Sequence, residues 1–429
     1  MKNVTDEQEI LEAISSGENV FVTGSAGSGK TYLASQYARG RGDTVLTATT
    51  GVAALNLGGE TIHRFLGLGV ATRDFQASKI INKWMSIKKS SKPWDKDRWR
   101  LIQKIRTIII DEVSMLRRDQ FELIDIILSA IRDNPLPFGG VQMILVGDFF
   151  QLPPVVTSSE AMKYTDLQSP FCFQSPLWSQ ARFKAFNLKT NYRQGEGEFL
   201  DALEQIRVGN LTDEIRDMLQ SRLGIDLNIP IEPVKLFAHK ETVSAENIAC
   251  LKKLPGDKLV STADFTGKEY HVKILEKECP AETDLYFGKD AQVMMLTNEP
   301  TGLWVNGTMG IIKNTSPLEI RLSSGVTVGV GLHTWEKIEH KVMPNGTVSA
   351  QTVATMSQYP FKLAYSSTIH KSQGLTLDYI DIDLNNCFAP GQAYVALSRA
   401  KTLEGLRLRA WNKASIKADN KVKIFYGVD

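Results

Sequence analysis

The eight residues Gly24-Ser25-Ala26-Gly27-Ser28-Gly29-Lys30-Thr31 constrain this chain more than any other stretch. They spell G-x-x-x-x-G-K-T between an apolar run, Asn19-Val20-Phe21-Val22-Thr23, and a helix-compatible one, Tyr32–Ala38. Strand, glycine-rich turn, then helix is the setting of a phosphate-binding loop. Glycines let backbone N–H groups converge on phosphate oxygens, and the helix N-terminus adds its positive dipole end. Lys30 is expected to reach the β- and γ-phosphates and Thr31 to place a hydroxyl on Mg²⁺. A chance glycine-rich turn would not match every fixed position in that setting. The chain is expected to bind a nucleoside triphosphate through Gly24 to Thr31.

At 429 residues the chain is long enough for two or three domains. No apolar run approaches the ~18 residues of a membrane span, so no membrane partner is expected. The start, Met1-Lys2-Asn3-Val4-Thr5-Asp6-Glu7, has neither signal-peptide nor transit-peptide character. Cys172, Cys250, Cys279 and Cys387 are far apart, which argues against zinc or disulfides and fits a reducing cytoplasm. A formal net charge of +2 means that any nucleic-acid affinity must come from local basic surface.

The first third alternates strand-like and helix-like segments, the pattern of an α/β doubly wound parallel sheet. Strands are expected at Val20–Thr23, Thr44–Ala48, Thr107–Ile110 and Val141–Val146, with a helix over Asp119–Ile131. Residues 71–106 hold eleven Lys/Arg against three acids, with Phe75, Trp84, Trp94 and Trp99 interleaved. Two readings stay open: a single-strand contact surface of phosphate-tracking cations and stacking rings, or a solvated insertion whose tryptophans pack on the core. The β/α pattern resumes at Arg182–Leu188 and Val234–Ala238. Short β-like runs follow at Gln292–Leu296, Met309–Lys313, Glu319–Leu322, Val326–Leu332 and Lys341–Met343, as in a small inserted barrel. The α/β pattern returns at Tyr379–Asp383 and Ala389–Ser398.

Thr107-Ile108-Ile109-Ile110-Asp111-Glu112 is an apolar strand ending in two acids. It is expected to lie beside the phosphate-loop strand, with Asp111 on Mg²⁺ and Glu112 as general base for the attacking water. A second strand ends in Gly147-Asp148-Phe149-Phe150-Gln151-Leu152-Pro153-Pro154, where Gln151 is placed to sense the γ-phosphate.

Together these segments resemble superfamily 1 helicases of the Pif (petite integration frequency) branch, superfamily 1B, with RecD-like enzymes as cousins. The resemblance also rests on Thr49-Thr50-Gly51-Val52-Ala53-Ala54, Thr61-Ile62-His63-Arg64-Phe65, Asp111-Glu112-Val113-Ser114-Met115 and Asn191-Tyr192-Arg193-Gln194. Ser367-Thr368-Ile369-His370-Lys371-Ser372-Gln373-Gly374-Leu375-Thr376 and Tyr394-Val395-Ala396-Leu397-Ser398-Arg399-Ala400 complete it, in the family's order. The stretch Met115–Phe138 leading to Gly139-Gly140-Val141-Gln142 looks like the segment that marks the branch. Ser25 stands where many members carry proline and Ser28 where threonine is usual; backbone phosphate contacts survive both.

The resemblance implies two RecA-like P-loop domains with ATP between them. Residues 1–70 and 101–180 would form the ATP-binding domain, 71–100 a wedge that splits the duplex, 181–265 and 360–429 the second domain, and 266–359 an SH3-like barrel. It also implies that the second domain brings Arg193 and Arg399 as arginine fingers beside Lys30, Asp111, Glu112 and Gln151. Gln8 would read the adenine, and Gly374 would approach the nucleotide. Thr50, His63 and Phe65 would line a DNA groove with Thr368, His370 and Lys371, although His63 has a plain alternative as a buried histidine. The chain looks like a bare motor core, expected to act as a monomer in a bacterial or viral cytoplasm, alongside single-strand-binding or replication proteins, in DNA repair, recombination or replication.

The expected activity is ATP- and Mg²⁺-dependent 5′→3′ translocation on single-stranded DNA with unwinding of forked or tailed duplex. The polarity comes from the resemblance alone. An RNA-directed motor of the same superfamily and an ATP-gated DNA-binding switch without unwinding remain as alternatives. A metabolic NTPase fits poorly with the groove motifs.

Overall fold

The structure, a computed structural model, describes residues 4–68, 74–90, 92–156, 169–194, 197–229, 231–237, 241–343 and 347–428. Its first unit is a six-stranded parallel sheet: β1 (Val20–Gly24), β2 (Thr44–Ala48), β3 (Glu60–Thr61), β4 (Thr107–Asp111), β5 (Gln142–Val146) and β6 (Lys184–Leu188). The spatial order is β3-β2-β4-β5-β1-β6. β1 and β4 are buried along their whole length, as expected of near-continuous apolar runs in a sheet covered on both faces. The amphipathic helix Arg118–Arg132 turns Phe121, Ile124, Leu128 and Ile131 into the core beneath that sheet.

Two expectations are corrected by this order. The strand carrying Asp111 is not beside the phosphate-loop strand; β5 pairs with both and stands between them. β6 belongs to the first sheet, pairing in parallel with β1 from Val20↔Lys184 to Gly24↔Leu188, so residue 181 is not where the second unit begins.

The second unit is a four-stranded parallel sheet in the order Ser366–Thr368, Val234–Phe237, Ile380–Asp383, Leu406–Ala410. The last helix, Asn420–Tyr426, does not stay with it. Phe425 stacks on Phe173 at 4.3 Å and Tyr426 on Phe150 at 4.9 Å, both in the first unit's core. The chain end therefore straps the two units together, and 360–429 is not one body.

Between the strands of the second sheet sits an antiparallel β module. Five strands order as Thr327–Gly329, Leu318–Leu322, Met309–Thr315, Gln292–Met295, Phe361–Leu363, so its pairing runs past residue 359. The short run expected at Val326–Leu332 is present as Thr327–Gly329, but in place of the one at Lys341–Met343 the structure has a long hairpin, His333–Val342 with Val348–Gln358. The hairpin reaches the first unit: Val348 N donates to Gly42 O at 2.7 Å, and His340 lies 3.3 Å from Glu60.

The basic insertion is a pair of helices, Asp74–Lys89 and Pro93–Lys104. Trp84 is buried and donates its indole N–H to Leu66 O at 3.0 Å, and Trp99 packs against the same core. For these two rings the core-packing alternative holds, with Arg98 over Trp84 and Lys88 over Trp99. The side chains of Phe75 and Trp94 lie outside the described residues.

Candidate active site and nucleic-acid interface

The phosphate loop joins β1 to the helix Lys30–Ala38. Lys30 Nζ folds back on the loop, donating to Gly24 O (2.8 Å), Ser25 O (2.7 Å) and Ser28 Oγ (3.2 Å). Burial lowers its pKa, against the opposing pull of Asp148, Glu112 and Asp111. Thr31 Oγ1 donates to Asp111 Oδ2 at 2.7 Å, which brings together the two residues expected at Mg²⁺. Burial raises the Asp111 carboxyl, and burial together with the charge of Asp111 pushes Glu112 up to about 7.

Glu112 sits just past β4 with φ 55°, a left-handed conformation that a non-glycine residue adopts at a cost of roughly 1–3 kcal/mol. The next strand end comes close beside it. A Cβ on Gly147 would lie 2.9 Å from Val113 N, so only glycine lets β5 pass there. Gln151, 7% exposed, follows at the end of that turn.

The second unit meets these groups through Gln373. Its amide nitrogen donates to Glu112 Oε2 (3.0 Å) and to Gln151 Oε1 (3.2 Å), bridging the expected base and sensor. The residue lies within a quoted motif, yet nothing in its local pattern marks it apart from its neighbours.

Arg193 is placed differently from the expectation. Its backbone belongs to the segment that leaves β6 and packs on the phosphate loop, where a Cβ on Gly27 would lie 2.5 Å from Arg193 Cβ. Asn191 Nδ2 donates to Ala26 O (2.9 Å) and Tyr192 N to Gly27 O (2.9 Å). Only the Arg193 guanidinium enters the second unit, donating to Thr376 Oγ1 (2.9 Å) and Gly374 O (3.1 Å). Arg399 is 1% exposed and donates to Val395 O (2.7 Å) and Ser398 Oγ (2.8 Å). Burial lowers both guanidiniums, Arg193 to about 10, and the charge of Arg193 lowers Arg399 further. Two neighbouring desolvated cations make a pocket suited to a polyanion.

An open cleft of about 2300 Å³ runs from the phosphate loop between the units and along the β module. Thr50, Thr368, His370, Lys371 and Gly374 line it. Thr50 also caps the helix Gly51–Leu57, accepting from Ala53 N, and the buried Thr368 accepts from Lys371 N at 3.1 Å. Tyr192, 65% exposed, stands at the mouth with its ring edge against Gly29.

Three expected site residues are elsewhere. Phe65 is 3% exposed in the first unit's core, its ring edge-on to His340 of the docked hairpin. His63 bonds the Gln120 side chain, and burial lowers its pKa, so the buried-histidine alternative describes it. Neither lines the cleft. Gln8 lies on the exposed face of the helix Val4–Ser15, donating to Glu12 at 3.2 Å, and does not line the cleft. Among the described residues no cluster of three or more His, Cys, Asp or Glu side chains could hold a metal ion. No helix among them is long and apolar enough to cross a membrane.

A family model described as PIF1-like helicase matches residues 3–222. The chain is 35% identical to the ATP-dependent DNA helicase Pif1 of Bdellovibrio bacteriovorus, over 98% of this chain and 91% of that protein. It is 33% identical to human ATP-dependent DNA helicase PIF1 over 98% of its own length, and spans 63% of that relative. Among solved structures, Pif1 of Bacteroides sp in complex with ADP-AlF4 superposes with a TM-score of 0.86 at 30% identity, covering 100% of this chain and 97% of that one. The Bacteroides Pif1 structure bound to ssDNA gives 0.65 at the same identity. Matching motifs, the two parallel-sheet units and relatives of this similarity agree: the chain has the RecA-like architecture of the PIF1-like helicases and belongs to that family.

Proposed function

We propose that this chain is an ATP- and Mg²⁺-dependent DNA helicase that moves 5′→3′ along single-stranded DNA and opens the duplex ahead of it. One observation carries the reading. Lys30, Thr31, Asp111, Glu112 and Gln151 stand on one unit and meet Gln373, Arg399 and the Arg193 guanidinium at the other, in a cleft that continues to Thr50, Thr368, His370 and Lys371. Hydrolysis at such a divided site depends on how closely the units approach, and their approach displaces a bound strand.

In this mechanism Lys30 turns from the loop carbonyls to the β- and γ-phosphates. Thr31 and Asp111 would hold Mg²⁺, which would supply charge neutralisation at the phosphates. Two protein oxygens would fit such an ion, which commonly keeps several waters. Glu112 takes the proton of the attacking water, Gln151 orients near the γ-phosphate, and Arg193 and Arg399 stabilise the transferring phosphoryl group. The exposed Tyr192 ring offers the nucleotide base a flat apolar platform. Thr50, Thr368, His370 and Lys371 contact the strand without base readout. The β module is read as the SH3-like domain, and the basic helix pair as the wedge.

Strand separation on duplexes with a 5′ or a 3′ single-stranded tail tests this directly, beside Lys30→Ala. The parent is expected to open the 5′-tailed duplex alone, and Lys30→Ala to bind DNA without opening it. Opening from the 3′ tail only rejects the polarity; ATP hydrolysis stimulated by DNA without opening of either duplex rejects the wedge.

Lys362 adds a pH dependence to strand binding. Its neighbours Phe361 and Leu363 turn into the β module's core, so Lys362 faces the cleft. Burial, then the charge of Lys371, lowers its pKa to about 8. The free protein therefore holds it charged below that pH and neutral above, and a DNA phosphate nearby would restore the proton. Single-strand affinity is expected to fall more steeply between about pH 7 and pH 9 for the parent than for Lys362→Arg, which stays charged. Parallel titration curves reject the contact.

A further inference from the structure

We propose that Tyr394 is a cross-domain positioning residue: its phenol, delivered by the second unit, holds the phosphate loop at Ala26 and ties the loop's geometry to the approach of the two units. The inference rests on the ATP-hydrolysing reading above.

Tyr394 sits on the short helix Gln392–Leu397, every residue of which is buried. Its hydroxyl accepts the Ala26 N–H at 2.9 Å, across 368 residues of chain. The other side of the same residue is held by Asn191, which donates to Ala26 O at 2.9 Å. The third position of the phosphate loop is thus bonded at both its N–H and its C=O by groups from outside the loop.

The helix that carries Tyr394 also ends at the arginine cluster. Ser398 O, at its C-terminal cap, accepts from Gln194 Nε2 at 3.0 Å and from Arg193 Nη1 at 3.4 Å. One rigid element therefore touches the loop at one end and positions the guanidiniums at the other.

The tyrosine lies near a buried ion pair. Arg207 pairs with Asp148 through two hydrogen bonds of 2.8 and 2.9 Å, and its guanidinium lies 4.8 Å from the centre of the Phe150 ring. Asp148 and Arg207 are close enough to Tyr394 for their charges to act on its phenol. At 2% exposure the ring has no room to swing aside, so separating the units must break the bond to Ala26. An approach that restores it re-forms the loop. Strand binding along the cleft would in this way reach the phosphate contacts through Tyr394.

Tyr394→Phe keeps the packed ring and removes only the acceptor. Two measurements on the full chain test the proposal. The first is amide hydrogen exchange without nucleotide, read on peptides covering residues 20–33. Loss of one hydrogen bond is expected to speed exchange at the loop by roughly two- to tenfold. Exchange elsewhere and the thermal midpoint should stay near the parent's, which separates release of the loop from general unfolding. The second is the ratio of ATP turnover with and without oligo-dT, expected to fall at least about threefold by the same reasoning.

Unchanged loop exchange overturns the tether. Faster exchange with an undiminished stimulation ratio overturns the coupling between loop and units. If the parent itself shows no DNA-stimulated turnover, the helicase reading fails on its own, while the exchange measurement still decides whether Tyr394 holds the loop.

Discussion

Glu112→Gln is expected to lower ATP turnover by about 10²–10⁴-fold, the usual contribution of a positioned general base. Nucleotide and single-strand binding should persist. The substitution keeps the shape of the side chain, and a glutamine oxygen can still accept the Gln373 N–H that now reaches Glu112 at 3.0 Å. It leaves the contacts of Lys30, Thr31 and Asp111 in place. What it removes is the group that can take a proton, at a position where the backbone is held in a left-handed conformation. Phosphate release under saturating ATP and oligo-dT, beside binding of a fluorescent nucleotide, measures both halves of the expectation. Turnover within tenfold of the parent would move the base to another residue, whereas loss of nucleotide binding would show that Glu112 holds the loop together.

Asp148→Asn is expected to destabilise the protein by about 3–5 kcal/mol, because it strips a buried cation of the counter-charge that hydrogen-bonds it and leaves only the more exposed Glu204 at 3.6 Å. Asp148 is 0% and Arg207 9% exposed at the side chain, and the pair is joined by two hydrogen bonds. Burial by itself would lower the Arg207 pKa, but the charge and hydrogen bonds of Asp148 reverse that and leave it raised. The contrast is Arg216→Ala. Its partner Asp213 is 85% exposed, and a surface pair of this kind contributes about 0–1 kcal/mol. Urea midpoints for the two variants separate the cases. Equal shifts would mean that Arg207 finds another acceptor once Asp148 is neutral. Since Arg207 also packs beside Phe150 and Tyr426, part of the loss is expected as loosening of the C-terminal helix.

The phosphate loop, the paired acids and the nature of the fold were legible in the residues because each is a local pattern. A glycine-rich turn can be recognised without knowing its neighbours, and three isoleucines before Asp111 and Glu112 form a buried strand in any α/β setting. The same holds for the order of elements, since β-like and helix-like periods differ along the chain itself.

Other features depend on which surfaces meet. Nothing in Thr107–Glu112 or Val141–Val146 says which strand pairs with β1; that is decided by how helices on both faces share the sheet. Phe65 reads like a stacking ring until the hairpin His333–Gln358 docks beside it and closes the core. Gln373 becomes a bridge only because two sheets distant in sequence place it within 3.2 Å of both Glu112 and Gln151. The last helix reads as an end of the second unit, yet Phe425 and Tyr426 bury their rings among aromatics of the first. The residues alone thus determined the nucleotide chemistry and the fold class, which rest on short-range spacing and on the period of burial. Strand order, the bridging groups and the strap between the units were decided only by the tertiary structure, because each depends on long-range contacts between surfaces that no local pattern encodes.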